Sequence, residues 1–357
     1  MRAALLEGAN PFTIEEVTLL PTGPGEVLVR TEAAFACVTD VIQRRSGGSI
    51  PGAHIRGHAG VGEVIEVGPG VERARVGDRV VVATRPECGE CFWCDHGQPQ
   101  QCAFAERPGP DVALRADGTP LRASARVGAY AEFMKVPAAT VVPVETSLGA
   151  DLLATLGCGV SAGLGAALNV AEIAPGTTVV VVGGGVFGLS IVQGARLAGA
   201  GRIVVVEPLA ARRELAIRLG ATDTIDPGRD DSLEAVRSLT EGRGADTTFE
   251  AVGEPDAMRT AFDLTRRGGD VVLGGFGPKG ATVSFPANEL ALRSRRILSV
   301  QFGGISVRRD IPKFVDLIER GAVDVPALLS GSFRLEDVNA ALDGQEDYSL
   351  LGAVIVP

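Results

Sequence analysis

Lysine is almost missing from this chain. Only Lys135, Lys279 and Lys313 occur, against 31 arginines, a bias that reads as genome composition rather than chemistry. Positive charge is in deficit overall: the net charge is −10, and no basic stripe offsets it. A phosphate backbone would be repelled, which excludes nucleic acid as a partner. Long apolar runs are also lacking. The most apolar region, Thr177 to Val206, is broken by glycines and by Gln193, Arg196 and Arg202. It falls short of the roughly 18 uninterrupted residues of a spanning helix. The first residues, Met1-Arg2-Ala3-Ala4-Leu5-Leu6-Glu7, meet an acid at once and predict no signal peptide, hence a cytoplasmic protein. Internal repeats and low-complexity segments are absent.

What is present is ordinary in amount and unusual in placement. The 357 residues are 45% hydrophobic and 22% charged. That length suits about two domains and a core that needs no disulfide staples. Four of the six cysteines form one short run, Cys88, Cys91, Cys94 and Cys102. In a cytosolic chain such spacing points to metal rather than to disulfides. Four thiolates in close order suit a closed tetrahedral zinc. Cys37 and Cys158 stand alone, with His58 between Cys37 and the run. Two thiolates and an imidazole leave a fourth position open, as a catalytic zinc needs. His96 lies inside the run but is surplus to a filled tetrahedron, and His54 reads as a surface or cleft residue.

The first 160 residues read as short strands and turns. Glu26–Thr31 and Val61–Val67 alternate like half-buried strands, and Val76-Gly77-Asp78 turns into a buried strand ending at Val82. A Pro-, Gly- and Arg-rich stretch from Ala103 to Arg126 shows no period and predicts a loop around the cysteine lobe. The texture changes near residue 150. Helical stretches at 147–156 and 161–170 precede a regular alternation: strand 178–182, helix 186–198, strand 202–206, helix 210–219, strand 223–225, helix 232–239, strand 247–250, helix 257–264 and strand 270–273. Alternation of this kind predicts a parallel, doubly wound sheet with helices on both faces. A helix at 311–320 and a strand at 353–356 close the chain.

Thr178–Val182 runs directly into Gly183-Gly184-Gly185-Val186-Phe187-Gly188. A Gly-x-Gly-x-x-Gly motif is weak alone, but here it follows a strand and opens a helix. The glycines permit a tight turn, and the helix N-terminus suits a pyrophosphate. Glu207 stands at the end of the next strand. A carboxylate there accepts hydrogen bonds from both ribose hydroxyls and repels a 2′-phosphate, which favours NAD over NADP. Arg212, five residues on, argues slightly the other way.

Taken together, Gly25-Glu26-Val27-Leu28-Val29, Cys37-Val38-Thr39-Asp40, Gly57-His58, Val67-Gly68-Pro69-Gly70-Val71, Val76-Gly77-Asp78-Arg79-Val80, the cysteine lobe, Gly157-Cys158-Gly159 and the glycine fingerprint resemble the zinc-containing medium-chain alcohol dehydrogenases. The resemblance spans nearly the whole chain. It implies an α/β protein with a GroES-like, mostly-β catalytic domain at residues 1–159 and 303–357, carrying a structural-zinc lobe at 86–103. A Rossmann coenzyme domain at 160–302 would be inserted between them, with the active site in the cleft. Cys37, His58 and Cys158 match the catalytic zinc ligands, and Cys88, Cys91, Cys94 and Cys102 the structural ones, giving two zinc ions per chain. Asp40 matches the carboxylate that orients the ligating histidine. Thr39 matches the hydroxyl beside the substrate oxygen. Phe187, Leu273, Gly274, Gly275, Val300 and Phe302 would frame the nicotinamide.

The chain departs from that pattern at five positions. Ala59 replaces the glutamate of Gly-His-Glu, which removes a negative charge near the zinc and makes the metal a stronger Lewis acid. Ile42 replaces the histidine that ends the proton relay, so the proton would pass from Thr39 through the nicotinamide ribose hydroxyl to water. Leu351 and Val38 stand where relatives have phosphate-binding arginines, which leaves the phosphates to helix-terminal amides. Thr84 falls where some relatives place a bulky aromatic and widens the slot. The implied reaction is reversible hydride transfer between NAD(H) and a medium or bulky alcohol, aldehyde or ketone. The stretch between Cys102 and Gly128 resembles the long loop of dimeric relatives, and Arg296–Phe302 an edge strand pairing across a two-fold axis. Two alternatives stand beside this reading. One is a polyol or sugar dehydrogenase on the same scaffold, against which Cys158 speaks, since those relatives often use a glutamate ligand. The other is a non-catalytic zinc- and nucleotide-binding relative.

Overall fold

Valine-rich runs bounded by glycine turns become strands, and the lengths of the connections decide which strands can pair. In the computed structural model, which describes residues 1–48, 51–278 and 280–357, the chain divides into two units. One comprises residues 1–159, 306–321 and 325–357, the other residues 160–305 and 322–324.

The first unit is built on two sheets. In the larger, Glu26–Ala36 is the central strand. It pairs antiparallel with Gly60–Val67, with Phe133–Pro137 and with the C-terminal Ala353–Val356. Arg79–Val82 and Val141–Pro143 extend one edge and Gly331–Arg334 the other. Inward-facing residues such as Val27, Val29, Val64, Val80, Met134 and Ile355 form its core. The smaller sheet runs Thr13–Glu16, Arg2–Leu6, His54–Ile55, Pro120–Ala123, Asp111–Leu114 and Thr18–Leu19. The stretch from Ala103 to Arg126 is therefore not a structureless loop. Two of its segments form an antiparallel pair, and the second also pairs with His54–Ile55. Each strand is four residues long, and only Pro120–Ala123 alternates exposed and buried positions, too short a signal to stand out among prolines and arginines.

The second unit is a single six-stranded parallel sheet in the order Asp223–Ile225, Arg202–Val206, Thr178–Val182, Ala245–Glu250, Thr265–Leu273, Arg296–Ser299. Helices Val186–Leu197, Ala210–Leu219, Ser232–Leu239 and Pro255–Leu264 form its crossovers. The three central strands are buried almost end to end, as expected of strands covered on both faces. Strand order reverses between Thr178–Val182 and Ala245–Glu250. A ligand crevice in such sheets opens at that reversal, outside the carboxyl ends of the strands. Among the described residues, no helix is long and apolar enough to cross a membrane.

Candidate active site

Cys37 ends the central strand's register and caps the helix Val38–Ser46. The Asp40 N–H donates to the Cys37 carbonyl at 2.8 Å, and the Asp40 carboxylate accepts the N–H of Cys37 at 3.4 Å. The helix start thus fixes a sulfur and a carboxylate side by side. His58 follows Gly57, whose φ of +84° and whose approach to the backbone of Tyr130 exclude a side chain; a Cβ there would sit 2.6 Å from the Tyr130 nitrogen. Cys158 enters from the turn after the helix Ala150–Thr155. The three donor atoms, one each from Cys37, His58 and Cys158, lie within 4.8 Å of one another.

The imidazole is held in one orientation. Its Nδ1 lies 3.3 Å from Asp40 Oδ2, and its Nε2 faces the Cys158 sulfur at 3.3 Å. Asp40 is itself fully buried and saturated: Tyr130 donates its hydroxyl to Oδ2 at 2.8 Å, and the Arg56 guanidinium donates to Oδ1 at 2.7 Å. Burial works against the Asp40 charge, but His58, Arg56 and Tyr130 together hold its carboxyl well below the usual range. For His58, burial opposes protonation, yet Asp40 and the Cys37 sulfur raise it to about 10. The Cys158 thiol donates to Cys37, which holds the Cys37 thiol well below its ordinary value and pushes Cys158 well above. Two sulfurs and one imidazole nitrogen, converging in a buried site with the other ring nitrogen tied to a carboxylate, fit a zinc ion's ligand set. The Thr39 hydroxyl stands 3.6 Å from the Cys37 sulfur, at the rim of the cluster.

Cys88, Cys91, Cys94 and Cys102 also converge, with Cys88 and Cys94 sulfurs 3.9 Å apart and those of Cys91 and Cys102 4.0 Å apart. A tetrahedral site with Zn–S bonds of ~2.3 Å places its sulfurs ~3.8 Å apart. A disulfide needs ~2.05 Å, and all six cysteines are free. Backbone N–H groups of the lobe lower the Cys91 thiol to about 6, whereas burial raises Cys94 to about 12. Arginines surround this lobe: Arg73 donates to the carbonyls of Glu87 and Cys88, and Arg85 to that of Gln100. His96 points away from the sulfurs, bonded to the Phe92 carbonyl and stacked on its ring. His54 is fully buried in the smaller sheet rather than at the surface, because its strand is sandwiched between Arg2–Leu6 and Pro120–Ala123.

In the second unit, Gly183 takes φ +103° and Gly185 caps the helix Val186–Leu197. Glu207, 4% exposed, accepts the N–H of Gly184 at 2.6 Å and that of Leu209 at 2.9 Å. Its carboxylate therefore stands against the glycine turn. Gly188 packs so closely on Gly183 that a Cβ would lie 1.9 Å from the Gly183 oxygen. The Phe187 ring lies against Gly274, and Phe302 is a buried residue with φ +48° just past the last strand. Arg213 is fastened to the Glu207 turn: it donates to the Glu207 and Pro208 carbonyls and pairs with Asp226. Arg56, Tyr130 and Arg213 are the site residues that sequence reasoning missed. Only the arginine directly before Gly57-His58 offered a local hint.

Two family models match the chain: one described as the alcohol dehydrogenase GroES-like domain, over residues 23–146, and one as a zinc-binding dehydrogenase, over residues 185–320. An S-(hydroxymethyl)glutathione dehydrogenase of Synechocystis sp. is 33% identical over 99% of this chain and 98% of its own length. The chain belongs to the zinc-containing medium-chain alcohol dehydrogenase family. Membership makes it an oxidoreductase of alcohols that uses zinc. Among solved structures, benzyl alcohol dehydrogenase from Acinetobacter calcoaceticus superposes with a TM-score of 0.92 at 28% identity, covering 99% of this chain and 98% of that one. A zinc-binding dehydrogenase from Sinorhizobium meliloti 1021, bound to NADP, has a TM-score of 0.82 at 26% identity and covers 100% and 99%. The family's two-domain α/β architecture, GroES-like and Rossmann, is the fold described above.

Proposed function

We propose that this protein interconverts a medium or bulky alcohol with its aldehyde or ketone, using NAD(H) and two zinc ions per chain. The observation that carries this reading is the convergence of Cys37, His58 and Cys158 on a common point beside the Thr39 hydroxyl. These three residues would hold a catalytic zinc, and the four lobe cysteines a structural one. When bound, the zinc supplies Lewis acidity to the substrate oxygen and the nicotinamide ring accepts or returns the hydride.

The chain's own residues do the rest. Asp40 keeps the His58 ring in the tautomer that presents Nε2 to the cluster. Arg56 and Tyr130 fix Asp40, so the carboxylate cannot swing away. Thr39 takes the proton from the substrate hydroxyl. Ile42, on the same helix, offers no hydrogen-bonding group to pass it further. Gly183, Gly185, Val186, Phe187 and Gly188 hold the coenzyme through the glycine turn. Glu207, fastened by two backbone N–H groups, accepts the ribose hydroxyls and disfavours a 2′-phosphate. The NADP-bound relative is the reason to test that preference directly.

Thr84 supports a wide slot, and benzyl alcohol is the natural probe. NAD-linked turnover of benzyl alcohol should exceed that of ethanol in kcat/KM, and NAD should exceed NADP. Ethanol ranking first would overturn the substrate class; NADP ranking first would overturn the role given to Glu207. The exposed edge strand Arg296–Ser299, hydrogen-bonded on one side to Thr265–Leu273, supports a homodimer. Sedimentation at micromolar concentration should give twice the chain mass.

A further inference from the structure

The strand beside the reversal in the parallel sheet ends on a carboxylate that the chemistry above leaves unused. Glu250 is the last residue of Ala245–Glu250 and is fully buried. Burial raises its pKa above the usual carboxylate value, against the pull of three backbone N–H groups. Its Oε1 accepts from Val252 at 2.7 Å and from Gly253 at 2.5 Å. Its Oε2 accepts from Gly275 at 3.1 Å, an N–H that it shares with the Glu250 carbonyl at 3.2 Å. One side chain therefore joins two turns: residues 251–253, following its own strand, and residues 274–275, following the neighbouring strand.

Those turns touch. A Cβ on Gly275 would lie 2.0 Å from the Gly253 nitrogen, and one on Gly277 2.4 Å from the Gly253 oxygen. The first turn also meets the glycine fingerprint, since a Cβ on Gly183 would lie 2.8 Å from a methyl of Val252. The second meets the fingerprint helix through the Phe187 ring on Gly274. Glu207 occupies the opposite side of the reversal, where the adenosine ribose belongs. The side that Glu250 organises is left for the other half of a dinucleotide.

We propose that Glu250 is a positioning residue for the nicotinamide half of the coenzyme, acting by clamping turns 251–253 and 274–275 into one surface beside the fingerprint. This rests on the coenzyme reading given above. Paying the desolvation cost of a buried carboxylate makes sense where backbone geometry must be held to a few tenths of an ångström. A neutral side chain would satisfy the first turn alone.

Glu250→Gln tests this selectively. The amide oxygen can still accept from Val252 and Gly253, but its NH2 group then faces the Gly275 N–H, donor against donor. In zinc-loaded full-length protein, fluorescence titration should give an NADH dissociation constant about tenfold weaker, the scale of one lost charge-assisted hydrogen bond. ADP-ribose, which lacks the nicotinamide ring, should bind within about twofold of wild type, and the emission shift of bound NADH should shrink. Glu250→Asp, which keeps the charge but draws it back from Gly275, should weaken NADH the same way and decides the matter if the glutamine variant does not fold. Unchanged NADH binding in the folded variants overturns the inference while leaving the coenzyme reading intact. Equal weakening of NADH and ADP-ribose also overturns it, because Glu250 would then support the unit as a whole. Wild-type protein that binds neither ligand removes the coenzyme reading, and this inference with it.

Discussion

The two cysteine clusters make opposite use of the same side chain. The lobe cluster draws its four sulfurs from residues 88–102, lies partly exposed, and is surrounded by arginines. The other draws on residues 37, 58 and 158, is largely buried, and stands on a chain of charged and polar groups running through Asp40 to Arg56, Gln43 and Tyr130. A local cluster depends on its metal to hold a short loop in shape. A dispersed cluster is shaped by the fold before any metal arrives. The first is expected to contribute stability and the second reactivity.

The largest expected effect separates them outright. Cys158→Ala should abolish NAD-linked turnover and lose one of two zinc ions while the thermal transition changes little. Cys94→Ser should lower the thermal transition sharply and promote aggregation. Both are read by metal analysis beside calorimetry. If the two variants behaved alike, the division of labour would be wrong.

Arg56→Met sharpens the comparison on the buried side. It strips a fully buried carboxylate of its cation, and removing one partner of such a pair costs about 3–5 kcal/mol. Urea unfolding measures this, and a cost under ~1 kcal/mol would mean that Tyr130 and His58 alone suffice. Asp40→Asn acts more narrowly. Zinc affinity at the buried cluster should fall about 10–100-fold, with the lobe zinc unaffected, as judged by competition with a chromophoric chelator. The smallest effect is at His96, which is exposed and turned away from the lobe sulfurs. His96→Ala should retain both zinc ions and turnover within about twofold, because its ring stacks on Phe92 without entering the cluster.

Acidity gives a further contrast, in the second unit. Glu250 has a raised folded-state value, so its contribution to stability is fullest below the unfolded carboxyl value and declines as pH rises through the folded one. The stability difference between Glu250→Gln and wild type should therefore shift in favour of the variant as pH rises above the unfolded carboxyl value, read from paired denaturation curves.

The parallel sheet was readable because its strands are continuous valine runs between glycines and its crossovers are helices of ordinary length. Strands 178–182, 202–206 and 223–225 and helices 210–219 and 232–239 coincide with their expected ranges. The first unit was less readable, since its pairings join residues far apart. Nothing near Arg2–Leu6 announces that it meets His54–Ile55, and nothing near Tyr130 announces Asp40. The same distinction applies to the site. The lobe cysteines declare themselves by spacing, whereas Cys37, His58 and Cys158 were suggested by donor type alone and matched to one ligand set by resemblance to a family pattern. The position of Arg56 before Gly57-His58 was a hint, but its burial was not legible, because a charged residue beside a glycine ordinarily reads as surface.

Cobalt substitution followed by absorption spectroscopy tests the central claim most directly. Two tetrahedral sites should load, one with the thiolate-to-metal intensity of four sulfurs and one with that of two sulfurs, and only the second should change on adding an alcohol and NADH. A single four-sulfur site that ignores both ligands would contradict the account.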